Sequence, residues 1–338
     1  EIINKDRILQ LEPNINENVI LALYSPKTGV VNPWEFGIAS IENAVDNGVK
    51  LKLNTKVIGI NKENNIFKIE TNNKIIKTKY IINCAGLYSD KINNMVTEEF
   101  FKVVPRRGEY YVLDKEAGSI VNHVIFQAKE NDTKGVIVAP TVHGNLLVGP
   151  TAEDVDSKDD VRTTEEMLAF IKKVADKSIK NIPFEKTIRT FSGIRPRPQL
   201  LKKNKKTGEI EFYEDKVKDF ILGEVPGCEN FINAAGVKSP GLSCAPEIGK
   251  YIASIIINKE KKLTKNKNFN PIRKKHIVFD KLSDKEKEAL IKKDIKYSRI
   301  ICRCENITEA EIIDVIKRNV GAKTVDGVKR RAGTGLGR

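Results

Sequence analysis

Apolar residues recur at helical spacing across residues 36–48, where Phe36, Ile38, Ile41, Ala44 and Val45 fall on one face. Gly48 stands where a helix C-terminal cap belongs. Shorter apolar runs follow. Residues 49–53 and 57–60 read as strands, 67–70 and 75–78 as a hairpin around Asn72-Asn73, and 79–84 as a further strand ending at Ala85-Gly86. Helix, strand, hairpin and strand in this order make one part of a dinucleotide-binding fold. Between residues 103 and 149 the pattern changes to short strands at 108–113, 121–127, 135–139 and 145–148, with His143-Gly144-Asn145 as a turn. That alternation predicts an antiparallel sheet. A helix at 163–179, a strand at 231–234, a loop at 236–242 and a helix at 245–258 come next, the last with Ile248, Ile252, Ile255 and Ile256 on one face. Ser283, with Glu286 three residues on, predicts a capping box that opens a helix ending at Lys293. The expected fold class is mixed α/β.

One internal echo adds to this pattern. Ile81-Ile82-Asn83-Cys84-Ala85-Gly86 and Phe231-Ile232-Asn233-Ala234-Ala235-Gly236 each run a hydrophobic strand into Asn-x-Ala-Gly. Small residues at the carboxyl end of a strand let a cofactor approach the backbone, and ligands of open α/β sheets bind there. Two tight strand-to-turn transitions would give the same pattern.

Composition changes the picture little. The 338 residues are 40% hydrophobic and 31% charged, enough for two or three domains with cores of their own. The net charge is +14, but residues 259–275 hold eight Lys/Arg against the single acid Glu260. Its single aromatic, Phe269, makes no interleaved platform for stacking bases, so the run reads as a solvated linker and a nucleic-acid partner is not expected. Five scattered cysteines do not form a disulfide framework and fit a reducing cytoplasm. The longest apolar run, 251–257, is far too short to span a bilayer.

The candidate redox chemistry lies near the C-terminus. Ile301-Cys302-Arg303-Cys304-Glu305-Asn306-Ile307-Thr308-Glu309-Ala310-Glu311, followed by Asp326-Gly327-Val328-Lys329-Arg330-Arg331, resembles the front of the BFD-like [2Fe-2S] binding domain. A cluster of this kind needs four thiolates. The resemblance assigns Cys302 and Cys304 as two of them, so the cluster is expected to be incomplete in this chain. Half of a zinc site is the alternative for the pair.

The rest of the chain resembles the FAD-dependent oxidoreductases of the D-amino-acid oxidase superfamily. Its matching segments are Asn83-Cys84-Ala85-Gly86-Leu87-Tyr88-Ser89, Pro105-Arg106-Arg107-Gly108-Glu109-Tyr110, Ser192-Gly193-Ile194-Arg195-Pro196 and Gly236-Val237-Lys238-Ser239-Pro240-Gly241-Leu242-Ser243, with 23–33, 42–48, 54–57, 140–145 and 149–153. Within the superfamily it is most similar to the anaerobic-type FAD-dependent glycerol-3-phosphate dehydrogenases that append a BFD-like domain. L-2-hydroxyglutarate oxidases are near relatives. The resemblance implies oxidation of a small anionic 2-hydroxy compound, with electrons leaving through the [2Fe-2S] centre to an acceptor protein or a quinone- or NAD-linked partner. Peripheral membrane contact is compatible with this. The competing class is a non-catalytic electron-transfer or binding module.

The same resemblance implies residue roles. Val57 pairs its backbone with the adenine of FAD, Ala85 and Gly86 flank the pyrophosphate, and Gly241, Leu242 and Ser243 present a helix N-terminus to the flavin, with Lys238 in the same loop. Arg195 fixes the substrate anion, with Tyr110 and Arg107 as further substrate contacts. A guanidinium forks onto carboxylate or phosphate oxygens and stays charged. A base for the hydroxyl proton is not evident; His123 is a weak candidate, His143 falls in a turn and His276 in the basic linker. The expected layout is a substrate-domain segment at 1–31, FAD-binding parts at 32–98 and 218–258, a substrate-binding domain at 99–217, a basic linker and helix at 259–298 and a truncated BFD-like segment at 299–338. The family opens with a G-x-G-x-x-G turn that cradles the FAD pyrophosphate, and no such unit follows a strand here. The expectation is therefore an interior fragment of a longer enzyme, inactive by itself and without bound FAD.

Overall fold

A computed structural model describes residues 1–128, 135–203, 210–212, 219–260 and 262–336. The expected boundary at 217/218 lies outside these residues.

The substrate-domain sheet is antiparallel throughout and is built around two long strands. Phe101–Leu113 pairs with Thr187–Lys203 along nearly its whole length, from Leu113↔Thr187 to Phe101↔Leu200. Leu146–Gly149, Ile137–Pro140 and Ile125–Phe126 extend the sheet on one side, Ile210–Phe212 on the other, and Glu153–Asp154 caps Arg106 and Arg107. Alternation sorts the long strand's side chains by face. Phe101, Val103, Arg107, Glu109, Tyr111 and Leu113 are buried, while Arg106 and Tyr110 are half-exposed on the opposite face. Helix Glu165–Ala175, capped by Thr164, lays Ile171 and Ala175 against Leu113, Val138, Leu146 and Val148. The hydroxyl of Thr164 accepts from Met167 N–H, which satisfies a donor that the first helical turn leaves open.

The second unit is α/β. Ile81–Asn83 and Cys228–Ala235 lie side by side in parallel, with Phe231↔Ile81 and Asn233↔Asn83, and Ile221–Val225 pairs antiparallel on the far side. The echo seen in the sequence is thus a spatial neighbour pair. Asn83 Nδ2 donates to Asn233 Oδ1 at 2.8 Å, and Asn233 Nδ2 donates to Asn93 Oδ1 at 2.9 Å. Both strands end at the same edge, which brings Ala85-Gly86 and Gly236 together. Helix Gly241–Lys259 covers one face through Ile252, packed with Ile232 and Ala234. A small sheet of Val57–Glu63, Ile66–Thr71 and Ile75–Thr78 buries Phe67 against Phe231 on the other.

Several sequence expectations change. Residues 49–53 form no strand: no neighbouring strand pairs with them, and Val49, Leu51 and Leu53 are exposed. The strand expected at 121–127 shrinks to Ile125–Phe126 behind a short 3-10 turn at Lys115–Ile120. The first long helix begins earlier, at Pro33, because Asn32 accepts from the Trp34 and Glu35 amides and Pro33 suits the first helical position. Helix Gly241–Lys259 likewise starts four residues before the expected 245 and takes in Gly241 and Leu242 from the expected loop.

The C-terminal unit pairs Ile300–Cys302 with Ile307–Thr308 and continues into helices Glu309–Lys317 and Val325–Ala332. Thr308 and Glu311 form a capping box, as Ser283 and Glu286 do for helix Asp284–Lys293. His276 is packed at this junction, accepting from Arg273 Nη2 through Nε2 and facing Asp314 at 3.3 Å through Nδ1. Burial and the charges of Arg318 and Arg273 lower its pKa from the ordinary 6.5, against the opposing pull of Glu42 and Asp314. The unfolded chain therefore takes up a proton near that ordinary value while the folded chain does not. His276 contributes stability fully above 6.5 and loses it as pH falls through the lower folded value. Thermal unfolding of His276→Gln is expected to lose that part of the pH dependence; an unchanged profile between neutrality and mild acid would contradict it.

Candidate active site and thiolate pair

The half-exposed face of the two long strands gathers the candidate site. Opposite residues share a face, so Arg195 stands across from Arg106, and Tyr110 stacks on Phe191 at 4.9 Å with 7° between the rings. Asp154 takes one hydrogen bond from Arg106 Nη1, at 3.0 Å, and another from Arg197 Nη2, at 2.7 Å. Arg195 stands opposite Arg106 and two positions before Arg197 on the same face, and pairs with no carboxylate among the described residues. Its Nη1 donates only to Thr151 O, at 3.3 Å, and it forms no ion pair among the described residues. Two guanidiniums thus share one carboxylate, and Arg195 beside them adds a charge that no carboxylate matches among the described residues. An anion near it gains about 4 kcal/mol at 4 Å under a typical surface dielectric.

Glycine makes room for this side chain. A Cβ on Gly108 would sit 2.4 Å from Arg195 Nη2. The clash falls on the far end of a flexible side chain, so Gly108→Ala is expected to displace Arg195 with little loss of stability. The expected result is a severalfold higher KM for an anionic substrate with an unchanged thermal midpoint. A lowered midpoint with normal KM would show that the guanidinium position is not what the glycine protects.

Arg107 lies on the opposite face of the strand from Arg195, engaged by carboxylates. It points to the buried face, 3% exposed, with Glu153 at 2.7 Å, Asp160 at 2.9 Å and Glu109 at 3.3 Å. Glu109 is fully buried and also accepts from the Thr164 amide at 2.8 Å and its hydroxyl at 3.2 Å. Hydrogen bonds from Arg162, aided by Arg107 and opposed by burial, hold the Asp160 carboxyl far below the usual range. Arg107 is thus held among three carboxylates on that face.

The cofactor candidates divide between two places. Ala85 is exposed, Gly86 opens a short turn with φ +56, and a Cβ there would meet no atom within 4 Å. Gly86–Tyr88 adjoins both long strands, and Leu87 packs with Phe101, Val103 and Ala235. Gly236 presses on Pro198, with a would-be Cβ at 2.7 Å. The carboxyl end of the parallel pair therefore abuts the strand that carries Arg195. Gly241 is buried against Val237, whereas Leu242 and Ser243 are exposed at the start of a helix of 19 residues, whose first amides are open donors by geometry. The Lys238 carbonyl accepts from the Gly241 amide at 2.6 Å. Open backbone at Gly86 and an exposed helix N-terminus fit a flavin nucleotide lying along this edge. Val57 lies apart, in the small three-stranded sheet, half-buried against the Ile60 and Phe67 cluster.

His123 is tied to the N-terminal segment. Its Nδ1 is 2.7 Å from Glu12 Oε1, and its ring meets Tyr24 edge-on at 5.6 Å. His143 Nε2 faces Asn32 Nδ2 at 3.2 Å. Neither His123 nor His143 hydrogen-bonds to Arg195. Arg106, Arg197 and Asp154 were not picked out from the sequence; the Arg-Pro-Arg-Pro run at 195–198 was the available signal, because alternation puts Arg195 and Arg197 on one face.

The cysteines converge. Cys302 Sγ and Cys304 Sγ are 3.3 Å apart, and the Gly335 amide donates to Cys302 Sγ at 3.3 Å. Burial raises the Cys302 thiol, but that amide, Cys304 and the Glu305 amide together outweigh it and bring it down. The hydrogen bond to Cys302, with burial, pushes Cys304 up. Two convergent sulfurs with an N–H aimed at one of them suit half of an iron–sulfur ligand set. No group of three or more metal-ligating side chains occurs among the described residues.

Comparison with known proteins agrees with this architecture. Residues 1–255 match the FAD dependent oxidoreductase family and residues 300–337 the BFD-like [2Fe-2S] binding domain. The chain belongs to the FAD-dependent oxidoreductase family and carries a BFD-like domain behind it. It is 48% identical over 337 residues to a glycerol 3-phosphate dehydrogenase of Caloramator mitchellensis, covering 100% of this chain and 67% of that protein. A solved L-alpha-glycerophosphate oxidase from Mycoplasma pneumoniae, with FAD bound, aligns at a TM-score of 0.67 and 29% identity over 80% of this chain and 67% of its own. Similarity to an L-2-hydroxyglutarate dehydrogenase of Indibacter alkaliphilus is 32% over 39% of the chain and 34% of that protein. No helix among the described residues is long and apolar enough to cross a membrane.

Proposed function

We propose that this chain carries the substrate sheet, FAD-binding strands and cluster thiolates of a dehydrogenase that oxidises glycerol 3-phosphate. The observation that carries it is Arg195. A half-buried guanidinium without a carboxylate, next to two that share one, is built to take an anionic group. Tyr110 and Phe191 give the same face an apolar floor. When bound, FAD accepts hydride and the [2Fe-2S] centre carries single electrons onward. The residues of this chain hold and orient. Arg195 fixes the phosphate, Ala85 and Gly86 leave room for the nucleotide, and the helix that Gly241 opens offers the amides of Leu242 and Ser243 to negative charge that develops beside it. Cys302 and Cys304 supply two thiolates. The electrons leave to an acceptor protein or a quinone- or NAD-linked carrier, and the five free cysteines suit a reducing cytoplasm.

A dicarboxylate such as L-2-hydroxyglutarate would satisfy the same guanidinium, but the long match to a glycerol 3-phosphate dehydrogenase favours the phosphate. Anaerobic mixing of the full-length protein with each compound separates them. Glycerol 3-phosphate is expected to bleach the flavin, and bleaching by L-2-hydroxyglutarate alone would overturn the reading. A flavin unmoved by either would favour a non-catalytic module.

A further inference from the structure

Helix Pro33–Asp46 contains no Lys or Arg, yet its Glu42 is 1% exposed. The charge is matched from far along the chain. Arg273 Nε donates to Glu42 Oε2 at 2.5 Å and Arg318 Nη1 donates to the same oxygen at 3.1 Å. Arg318 is itself held, donating to Lys274 O at 2.9 Å, Lys275 O at 3.2 Å and Asp314 Oδ2 at 3.0 Å. The next residue, Asn319, donates to Glu42 O at 3.0 Å and Asp46 Oδ1 at 2.7 Å. On the linker side, Asn43 and Asn47 donate to Asn270 O at 3.0 and 2.8 Å. One carboxylate thus gathers the oxidoreductase unit, the basic linker and the cysteine-bearing unit.

The remaining contacts across this junction are weaker in kind. Lys115, exposed at its end, pairs with the largely buried Glu305 at 3.0 Å, and Arg330 lies over the exposed Trp34 at 4.5 Å. Exposed pairs contribute little, whereas loss of one partner from a buried pair strands a charge away from water. Glu42 Oε1 has no hydrogen-bond partner among the described residues. A carboxylate this desolvated is tolerated only with both guanidiniums in place, so it specifies one docked arrangement.

We infer that Glu42 is the anchor that sets where the Cys302–Cys304 pair sits relative to the oxidoreductase sheet. Its role as a positioning residue for electron exit rests on the function proposed above; the anchoring itself does not. Single-electron transfer falls steeply with separation, so a released unit would receive electrons slowly while substrate oxidation at the sheet continued.

Hydrogen exchange on the 338-residue chain tests the anchor. In Glu42→Gln, amides of residues 300–320 are expected to exchange about 100-fold faster, with those of Phe101–Leu113 and Thr187–Lys203 unchanged. Arg318→Gln attacks the same contact from the other side and should give the same result, and it decides the matter if Glu42→Gln unfolds globally. Unchanged exchange at 300–320 in Arg318→Gln overturns the anchor. In the cofactor-loaded full-length protein, Glu42→Gln should leave flavin reduction by glycerol 3-phosphate unchanged and slow flavin-to-cluster transfer at least about 10-fold. Equal slowing of both steps, or of neither, overturns the positioning role. Failure of wild-type flavin to be reduced would sink the proposed substrate and leave the exchange result standing.

Discussion

Arg107→Met is expected to cost about 3–5 kcal/mol of folding stability, because it leaves the fully buried Glu109 without its cation. The Asp160 and Glu153 carboxylates lose the same partner, but both reach solvent and add less. The methionine fills part of the space, so the penalty comes from the stranded charge and not from a cavity. Denaturant unfolding checks it. A midpoint close to wild type together with weakened substrate binding would return Arg107 to the substrate site and contradict the geometry. Arg107→Met with Glu109→Gln should recover part of the loss, since the two share one network.

Arg195→Ala is expected to do the reverse. Its guanidinium balances no carboxylate, so its removal strands no buried charge, and the thermal midpoint should move little. Substrate recognition should suffer, because a charge-assisted contact to phosphate is worth on the order of 2–5 kcal/mol when one partner is truncated. Steady-state kinetics of the full-length enzyme read this as a fall in kcat/KM, with FAD content unchanged. A destabilised variant with normal kcat/KM would show that Arg195 is a structural cation like its neighbour.

The contrast between these two arginines shows where sequence reading stops. Arg106-Arg107 is a pair of identical side chains in one motif, and alternation alone puts them on opposite faces. Which face is buried depends on Ile171 and Ala175 arriving from a helix some sixty positions on, and no local pattern records that. Thr187–Lys203 went unrecognised for a related reason. Pro196 and Pro198 argue against a strand because they cannot donate to the ladder, yet they pair here opposite Pro105 and Val103. Residues 49–53 erred in the other direction, since their apolar alternation is that of a strand but no partner lies beside them. The Asn-x-Ala-Gly echo was legible because the same physical demand, a small-residue exit from a parallel strand, acts twice. Cys302 and Cys304 were paired only through the resemblance of the segment around them, and the two sulfurs do converge. The Glu42 cluster was not, because its three charges are separated by 231 and 276 residues.

The central claim is that Arg195 recognises the anion of the substrate. Comparing kcat/KM for glycerol 3-phosphate and for uncharged glycerol, in the wild-type full-length enzyme and in Arg195→Ala, tests it most directly. The account predicts that the substitution removes most of the preference for the phosphorylated compound, about 30-fold or more, while the slow turnover of glycerol stays the same. An equal fall for both compounds would contradict it.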